Sequence, residues 1–116
     1  MAGNAVNRFW QARESGDWDL LSAQLRPGVT IQMLHEDGEM NRDQFLTFLR
    51  LMHHDATTRV HRTVTGRGLQ IAVLASVTRP NAKFECAGFY DLREGRIEML
   101  RELWLPLDSS SVLDLV

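Results

Sequence analysis

Apolar side chains recur at helical spacing through the first half of the chain, and this pattern predicts three helices. The first helix is predicted from one face that holds Val6, Phe9, Trp10 and Arg13. We expect Asn4 to cap its N-terminus and Ser15-Gly16 to end it. Asp17 is the expected N-cap of a short second helix. Asn41, followed by Gln44, resembles the capping box of a third helix.

From Thr58 onward the spacing of apolar residues changes to a period of two, which is typical of β-strands. It predicts four strands, at residues 59–65, 69–78, 83–93 and 96–105. An earlier strand is predicted at residues 29–35, after Arg26-Pro27-Gly28 has ended the second helix. Helices early and strands late indicate one α+β domain over residues 1–116, with a tail from about residue 106. We expect the three helices to pack in the concave face of a strongly bent antiparallel sheet.

The stretch FYDLREGRIEMLRELW, residues 89–104, is predicted to form the closing hairpin, with a tight turn at Glu94-Gly95. Strict alternation along its second strand gives two faces: Glu98, Leu100, Glu102 and Trp104 on one, and Ile97, Met99, Arg101, Leu103 and Leu105 on the other. Glu102 then lies between Leu100 and Trp104 on a face that we expect to be buried. Because a buried carboxylate is either paired or has a raised pKa, Glu102 marks a candidate site.

Both faces of the predicted sheet are largely apolar, so both need a cover. The helices can cover one face, and a second copy of the chain can cover the other in a symmetric homodimer. Ile97, Met99 and Leu103 would then be interface residues. The alternative is that these residues lie under the C-terminal tail.

Composition narrows the classes of protein that the chain can belong to. Hydrophobic residues make up 44% of the chain and charged residues 24%, the profile of a soluble domain. The net charge of −2 offers no basic surface for nucleic acid or for a membrane. The one cysteine, Cys86, excludes an internal disulfide and is expected to be a small buried side chain. The default expectation is a cytoplasmic protein.

Two stretches of the sequence resemble the nuclear-transport-factor-2-like superfamily, which includes the SnoaL-like cyclases and the ketosteroid isomerases. They are SGDWDLLSAQLRPGVTI near the start and the closing hairpin. The resemblance implies a cystatin-like α+β cone with a cavity between the sheet and the helices. In ketosteroid isomerases that cavity carries three polar groups, whose positions fall here on Phe9, Met33 and near Phe89. Since all three polar groups are absent, the resemblance does not imply the steroid-isomerase mechanism.

The resemblance also places an apolar cavity wall, which would suit a hydrophobic small molecule. The expected ligand-binding residues are Phe9, Trp10, Met33, Phe45, Phe89, Leu100 and Trp104. Glu102 is the expected proton-transferring group, and His35 could assist it. The alternatives are an ion pair of Glu102 with Arg13, Arg59 or Arg62, and an exposed His35 with no role in catalysis.

No motif for a cofactor or a metal accompanies these residues. The chain has no phosphate-binding glycine loop. His53 and His54 close the third helix, where histidine interacts favourably with the helix C-terminus, and no second ligand motif supports a metal site.

Two hypotheses for the function therefore remain open. One is a cofactor-free acid–base enzyme, such as an isomerase, cyclase or dehydratase, acting on a hydrophobic carbonyl compound. The other is a non-catalytic module that binds a hydrophobic ligand or dimerises.

Overall fold

The computed structural model describes residues 2–34, 38–68 and 70–107 of the chain. Its elements are α1 (Ala2–Ser15), α2 (Trp18–Ala23), β1 (Leu25–Met33), β2 (Glu39–Met40), α3 (Arg42–Met52), β3 (Thr57–Thr65), β4 (Gln70–Arg79), β5 (Ala82–Arg93) and β6 (Arg96–Leu107). This order confirms the predicted α+β fold, with three helices and a meander of long strands. His35 lies outside the described residues.

Local signals in the sequence define most of the helix ends. Gly16 adopts a positive φ of 72° directly after α1, a conformation that glycine reaches without a steric penalty. Asp17 accepts a hydrogen bond from the backbone nitrogen of Leu20 as the N-cap of α2. Asn41 and Gln44 form the predicted capping box of α3. The predicted cap at Asn4 is wrong, because α1 already begins at Ala2 and Asn4 therefore lies within the helix.

The sheet has six strands in the order β2-β1-β6-β5-β4-β3. Every neighbouring pair is antiparallel except β1 and β6, which are parallel. β1 begins at Leu25, four residues before the prediction, and runs through Arg26-Pro27-Gly28. Its register against β6 shifts between Leu25 and Thr30. That irregularity accommodates a proline and a glycine, which a regular central strand would exclude.

The helices pack on the inner face of the sheet, and this layer forms the core. The buried apolar residues of the sheet include Ile31, Met33, Val73, Ala75, Tyr90, Leu100 and Trp104. Phe9 and Phe45 stack on each other from α1 and α3, with ring centroids 6.3 Å apart. None of the described helices is long and apolar enough to cross a membrane.

A β-bulge changes which residues of β6 face the core. Asp91 pairs with Met99 but Leu92 pairs with Ile97, so Glu98 is an extra residue in the strand. As a result Ile97 lies on the inner face and is fully buried, together with Leu100. The predicted placement of Ile97 at a dimer interface is therefore wrong. The prediction from strict alternation was wrong because the extra residue, Glu98, turns the residues of β6 before it to the opposite face of the sheet.

The opposite, outer face of the sheet is not covered by any described element. Five large apolar side chains on it are well exposed: Leu34, Val64, Leu74, Phe89 and Leu105. Among the described residues, the other exposed large apolar side chains are Leu20, which is less exposed than these five, and Leu51, both on the helices. The described part of the molecule thus has one packed face and one open apolar face.

Candidate functional site

Glu102 lies at the centre of the inner face, where β6 passes beneath α1. Its side chain has 0% exposure, as does that of Arg13 on α1. Arg13 binds it through two nitrogens, with Nη1 2.6 Å from Oε2 and Nη2 3.2 Å from Oε1. This two-point geometry is the strongest arrangement for an arginine and a carboxylate. Of the three arginines considered from the sequence as partners, the structure therefore selects Arg13.

Three further donors surround the same carboxylate. The hydroxyl of Tyr90 donates to Oε2 at 2.7 Å, and the indole nitrogen of Trp104 donates to Oε1 at 3.0 Å. The Cys86 thiol contacts Oε1 at 3.7 Å. The indole of Trp10 donates to the Tyr90 hydroxyl at 3.1 Å. We call Arg13, Glu102, Tyr90, Trp104 and Trp10, with Cys86 and His53, the inner network.

Arg13 is held from the side as well as at its tip. Its guanidinium carbon lies 3.8 Å from the centroid of the Trp10 ring, a cation–π contact. Its Nε donates to Nε2 of His53 at 3.2 Å. Nε2 must then be the accepting nitrogen, so the proton of a neutral His53 lies on Nδ1 and faces the Thr58 hydroxyl at 2.9 Å. This arrangement requires His53 to be uncharged.

The pKa values follow from this burial and pairing. Desolvation, with the positive charge of Arg13, lowers the pKa of His53 to about 3. Desolvation, reinforced by the charge of Glu102, raises the pKa of the Tyr90 hydroxyl and of the Cys86 thiol above their usual ranges. Burial opposes the charge on Arg13, but the combined interactions with Glu102, Tyr90 and Cys86 outweigh it, and the pKa of Arg13 is raised. The tyrosine and the thiol thus stay protonated at neutral pH and act as donors to Glu102.

Gly88 explains how Tyr90 reaches the carboxylate. Gly88 is directly opposite Glu102 in the pairing of β5 with β6. A Cβ atom on Gly88 would approach Cζ of Tyr90 to 2.6 Å and would clash with its hydroxyl. Because glycine has no side chain, the Tyr90 ring can fold back along the strand over this position. Tyr90 was not among the site residues predicted from the sequence, although Gly88 opposite Glu102 was a signal that could have indicated it.

The buried polar side-chain atoms of the inner network are all hydrogen-bonded within the protein already. In the described part of the chain, no buried side-chain nitrogen or oxygen lacks a hydrogen-bond partner. Cavities of about 530, 250 and 230 Å³ are lined by described residues, and Glu102 lines none of them. No group of three His, Cys, Asp or Glu side chains in this part of the chain could hold a metal ion.

The structure separates the predicted wall residues into two groups. Six of them are buried around or beside the inner network: Phe9, Trp10, Met33, Phe45, Leu100 and Trp104. Phe89 lies on the outer face with 48% of its surface exposed, so its predicted place in an inner wall is wrong. The reason is the period of two along β5, which directs Phe89 away from the side that holds its neighbour Tyr90. His53 was not predicted to be a site residue, because its favourable interaction with the C-terminus of α3 was already a sufficient reason for a histidine at this position.

A second polar cluster lies on the outer face, between β3, β4 and β5. His61 contacts the hydroxyl of Ser76, which donates to Oε1 of Glu85 at 3.1 Å. Nε2 of His61 is also 4.0 Å from Oε2 of Glu85. The serine lies between the other two groups, whereas a nucleophilic triad needs the histidine in that place. The cluster therefore does not have the geometry of a hydrolase site.

Comparison with known proteins gives no match in sequence and many matches in structure. No protein-family model matches the chain, and no curated protein matches it. A candidate ketosteroid isomerase from Kribbella flavida superposes with a TM-score of 0.81 at 16% identity, over 92% of this chain and 79% of that one. An NTF2-like protein of unknown function from Burkholderia xenovorans gives 0.78 at 17% identity, over 98% and 91%.

A third solved structure carries a different activity in its name. A Mycobacterium tuberculosis LEH-like epoxide hydrolase superposes with a TM-score of 0.71 at 19% identity, over 97% of this chain and 86% of that one. At such low identities the likeness shows the fold alone, and this fold carries unrelated functions. The chain therefore has the nuclear-transport-factor-2-like cone fold that its sequence resembles.

Proposed function

We propose that this protein is a non-catalytic module that pairs with a second copy of itself through the outer face of its sheet. The observation that carries the proposal is that the Glu102 carboxylate does not meet the requirements of a catalytic acid or base. A general acid or base needs a lone pair or a proton within reach of a substrate. Both Glu102 oxygens are instead occupied by Arg13, Tyr90 and Trp104 in a fully buried setting. In this proposal the inner network is structural.

The outer face supports self-association through its composition. Leu74, Ala87 and Leu103 lie side by side across β4, β5 and β6, with the exposed Leu105 beside them. We call these four residues the central patch. Leu74 and Leu105 are about half exposed, and Ala87 and Leu103 are partly buried between them. Contiguous apolar residues that reach the surface are typical of interaction surfaces.

Charge on the same face favours a second copy as the occupant. The β3 side carries Arg59 and Arg62, whereas β5 carries Glu85 and Asp91. The same face also carries Lys83 on β5 and Arg101 on β6. In a symmetric dimer the same patch meets itself, so a face that carries both basic and acidic side chains can pair opposite charges across the two-fold axis.

The oligomeric state in solution tests this proposal. We expect sedimentation equilibrium of the full chain to show a dimer at micromolar concentration. Leu74→Glu should give a folded monomer, because it buries an unpaired charge at the interface. The matched control is Leu51→Glu, at an exposed leucine on α3 away from the sheet, which should leave the dimer intact. A wild-type chain that is monomeric at hundreds of micromolar would reject the proposal.

A second candidate function is the acid–base enzyme, with Glu102 transferring the proton and His35 assisting. Two observations favour it. A tyrosine, an arginine and a carboxylate meet in one network, and two of the structural neighbours are named as an isomerase and an epoxide hydrolase. The ligand would be a hydrophobic carbonyl compound or an epoxide.

Turnover of hydrophobic ketones and epoxides tests the second candidate. The enzyme hypothesis predicts activity that Glu102→Gln abolishes and that Glu98→Gln, at a half-exposed site on the same strand, leaves unchanged. Absence of turnover in the wild-type chain, or equal activity in the two variants, would exclude Glu102 as the catalytic group.

A further inference from the structure

An open groove of about 530 Å³ crosses the outer face at the end of the sheet nearest to Leu34. Its floor is a row of residues that pair across four strands: Arg101 on β6, Phe89 on β5, Ala72 on β4 and Val64 on β3. Gln70 and Asp91 form the neighbouring row, and Leu34 closes the β1 end. The volume lies within the range of sites for small molecules.

The shape of the groove follows from residue size along this row. Ala72 has a small side chain and lies between two larger ones, Phe89 and Val64, so the surface is low at its centre. Phe89 and Val64 are each 48% exposed, and Leu34 is 46% exposed. An apolar ligand body that lies over Ala72 would remove Phe89 and Val64, its neighbours on either side, from water, which is favourable in proportion to the area covered.

The charge of the groove is set by Arg101 at one end. The only hydrogen bond that its guanidinium makes among the described residues is to Sδ of Met99 at 3.5 Å. It forms no ion pair with a described carboxylate, whereas Arg13, Arg26 and Arg93 each have one. A planar guanidinium without such a partner fits a carboxylate, which it can bind through two parallel hydrogen bonds.

Asp91 supplies the second charge in the lining. It is opposite Met99, two residues from the Phe89–Arg101 pair, and is therefore a diagonal neighbour of Arg101. Diagonal neighbours in a sheet are roughly 7–8 Å apart, so we expect the negative charge of Asp91 to weaken the binding of an anion at Arg101.

We propose that this groove binds small organic carboxylates with an apolar body, such as medium-chain fatty acids. The carboxylate binds Arg101, and the alkyl chain lies over Phe89, Ala72 and Val64. The groove lies on the opposite side of the sheet from the Arg13–Glu102 pair, and Tyr90 is the one member of the inner network that also belongs to its lining. The groove also lies beside the central patch and shares no residue with it, so the proposal does not depend on self-association.

Binding of decanoate to the full chain tests the proposal, with decanamide as the neutral analogue of equal length. We expect decanoate to bind in isothermal titration, with amide NMR shifts concentrated at Ala72, Phe89 and Arg101. Decanamide should bind about tenfold more weakly, because it lacks the charge. Leu74→Glu serves as a background in which the same titration is repeated, so that a change of oligomeric state cannot account for the result.

Variants in the groove separate charge from apolar contact. Arg101→Met should weaken decanoate binding about tenfold and leave decanamide unchanged. Arg59→Met removes a positive charge from the same face outside the groove and should have no effect on either ligand. Asp91→Asn should tighten decanoate binding about threefold, because it removes a like charge. Ala72→Leu fills the floor and should abolish binding of both ligands.

Several results would overturn the proposal. They are no binding of decanoate at millimolar concentration, equal binding of decanoate and decanamide, equal losses in Arg101→Met and Arg59→Met, and unchanged binding in Ala72→Leu. Each of these variants alters the outer face only, and far-ultraviolet circular dichroism verifies that it is folded.

Discussion

The two faces of one sheet use charge in opposite ways. On the inner face, Arg13 and Glu102 are fully buried and every polar atom around them is paired. On the outer face, Arg101 forms no ion pair with a described carboxylate and lies beside apolar side chains that are about half exposed. A buried charge must be satisfied within the protein, whereas an exposed charge can be satisfied by water until a ligand replaces it. The open face is therefore the one with capacity for a partner.

Removal of one member of the inner pair should have the largest effect. Arg13→Met leaves Glu102 charged and buried, and we expect a loss of about 3 to 5 kcal/mol in the free energy of unfolding. The double variant Arg13→Met/Glu102→Gln should recover part of that loss, because it removes the unpaired charge, its amide oxygen can accept from Trp104 and its NH2 group can donate to the Tyr90 hydroxyl oxygen. Urea denaturation measures both variants. A double variant no more stable than Arg13→Met would show that the loss does not come from leaving the Glu102 charge unpaired.

Gly88→Ala should be the next most damaging change. The added methyl group clashes with the Tyr90 ring and displaces its hydroxyl from Glu102, for which we expect a loss of about 2 to 3 kcal/mol. Gly28→Ala is the control, since a Cβ atom there meets nothing within 4 Å. Equal effects of the two variants would mean that the Tyr90 ring does not need the space over Gly88.

Acid should weaken the inner face through His53. Its pKa is about 3 in the folded protein and 6.5 when unperturbed, so the unfolded chain takes up the proton first as pH falls. The contribution of neutral His53 to the free energy of unfolding is therefore complete above pH 6.5. It is lost between pH 6.5 and 3, by at most about 1.4 kcal/mol per pH unit. His53→Gln, which can still accept from Arg13, should reduce this slope. Thermal denaturation across that pH range measures it, and an equal slope in the variant would assign the acid effect to other groups.

The outer face should tolerate change best. Phe89→Ser removes an exposed ring, and we expect it to change the free energy of unfolding of the monomer by less than about 1 kcal/mol. Phe45→Ser, at a fully buried ring on the inner side, should cost at least about 3 kcal/mol. Chemical denaturation at low protein concentration compares them. Similar losses would mean that the outer face is covered in the folded monomer.

Prediction from the sequence succeeded where the determining contacts are local. The caps at Asp17 and Asn41 act within three residues. It failed at Ile97 because a bulge at Glu98 is visible only in the pairing with β5. It also failed at Phe89, which a family resemblance placed on the inner face against the alternation of its own strand.

Alternation of polar and apolar residues determined by itself that the chain forms helices first and strands later, and that Glu102 lies on a buried face. The period of each pattern reports which side of an element is apolar, and a single strand already contains that information. Only the tertiary structure decided that Arg13 is the partner of Glu102, that Tyr90 and His53 join them, and that Arg101 has no carboxylate partner among the residues that the structure describes. These pairings join residues up to 89 positions apart in the chain, and they depend on strand register and helix packing, which no local pattern specifies.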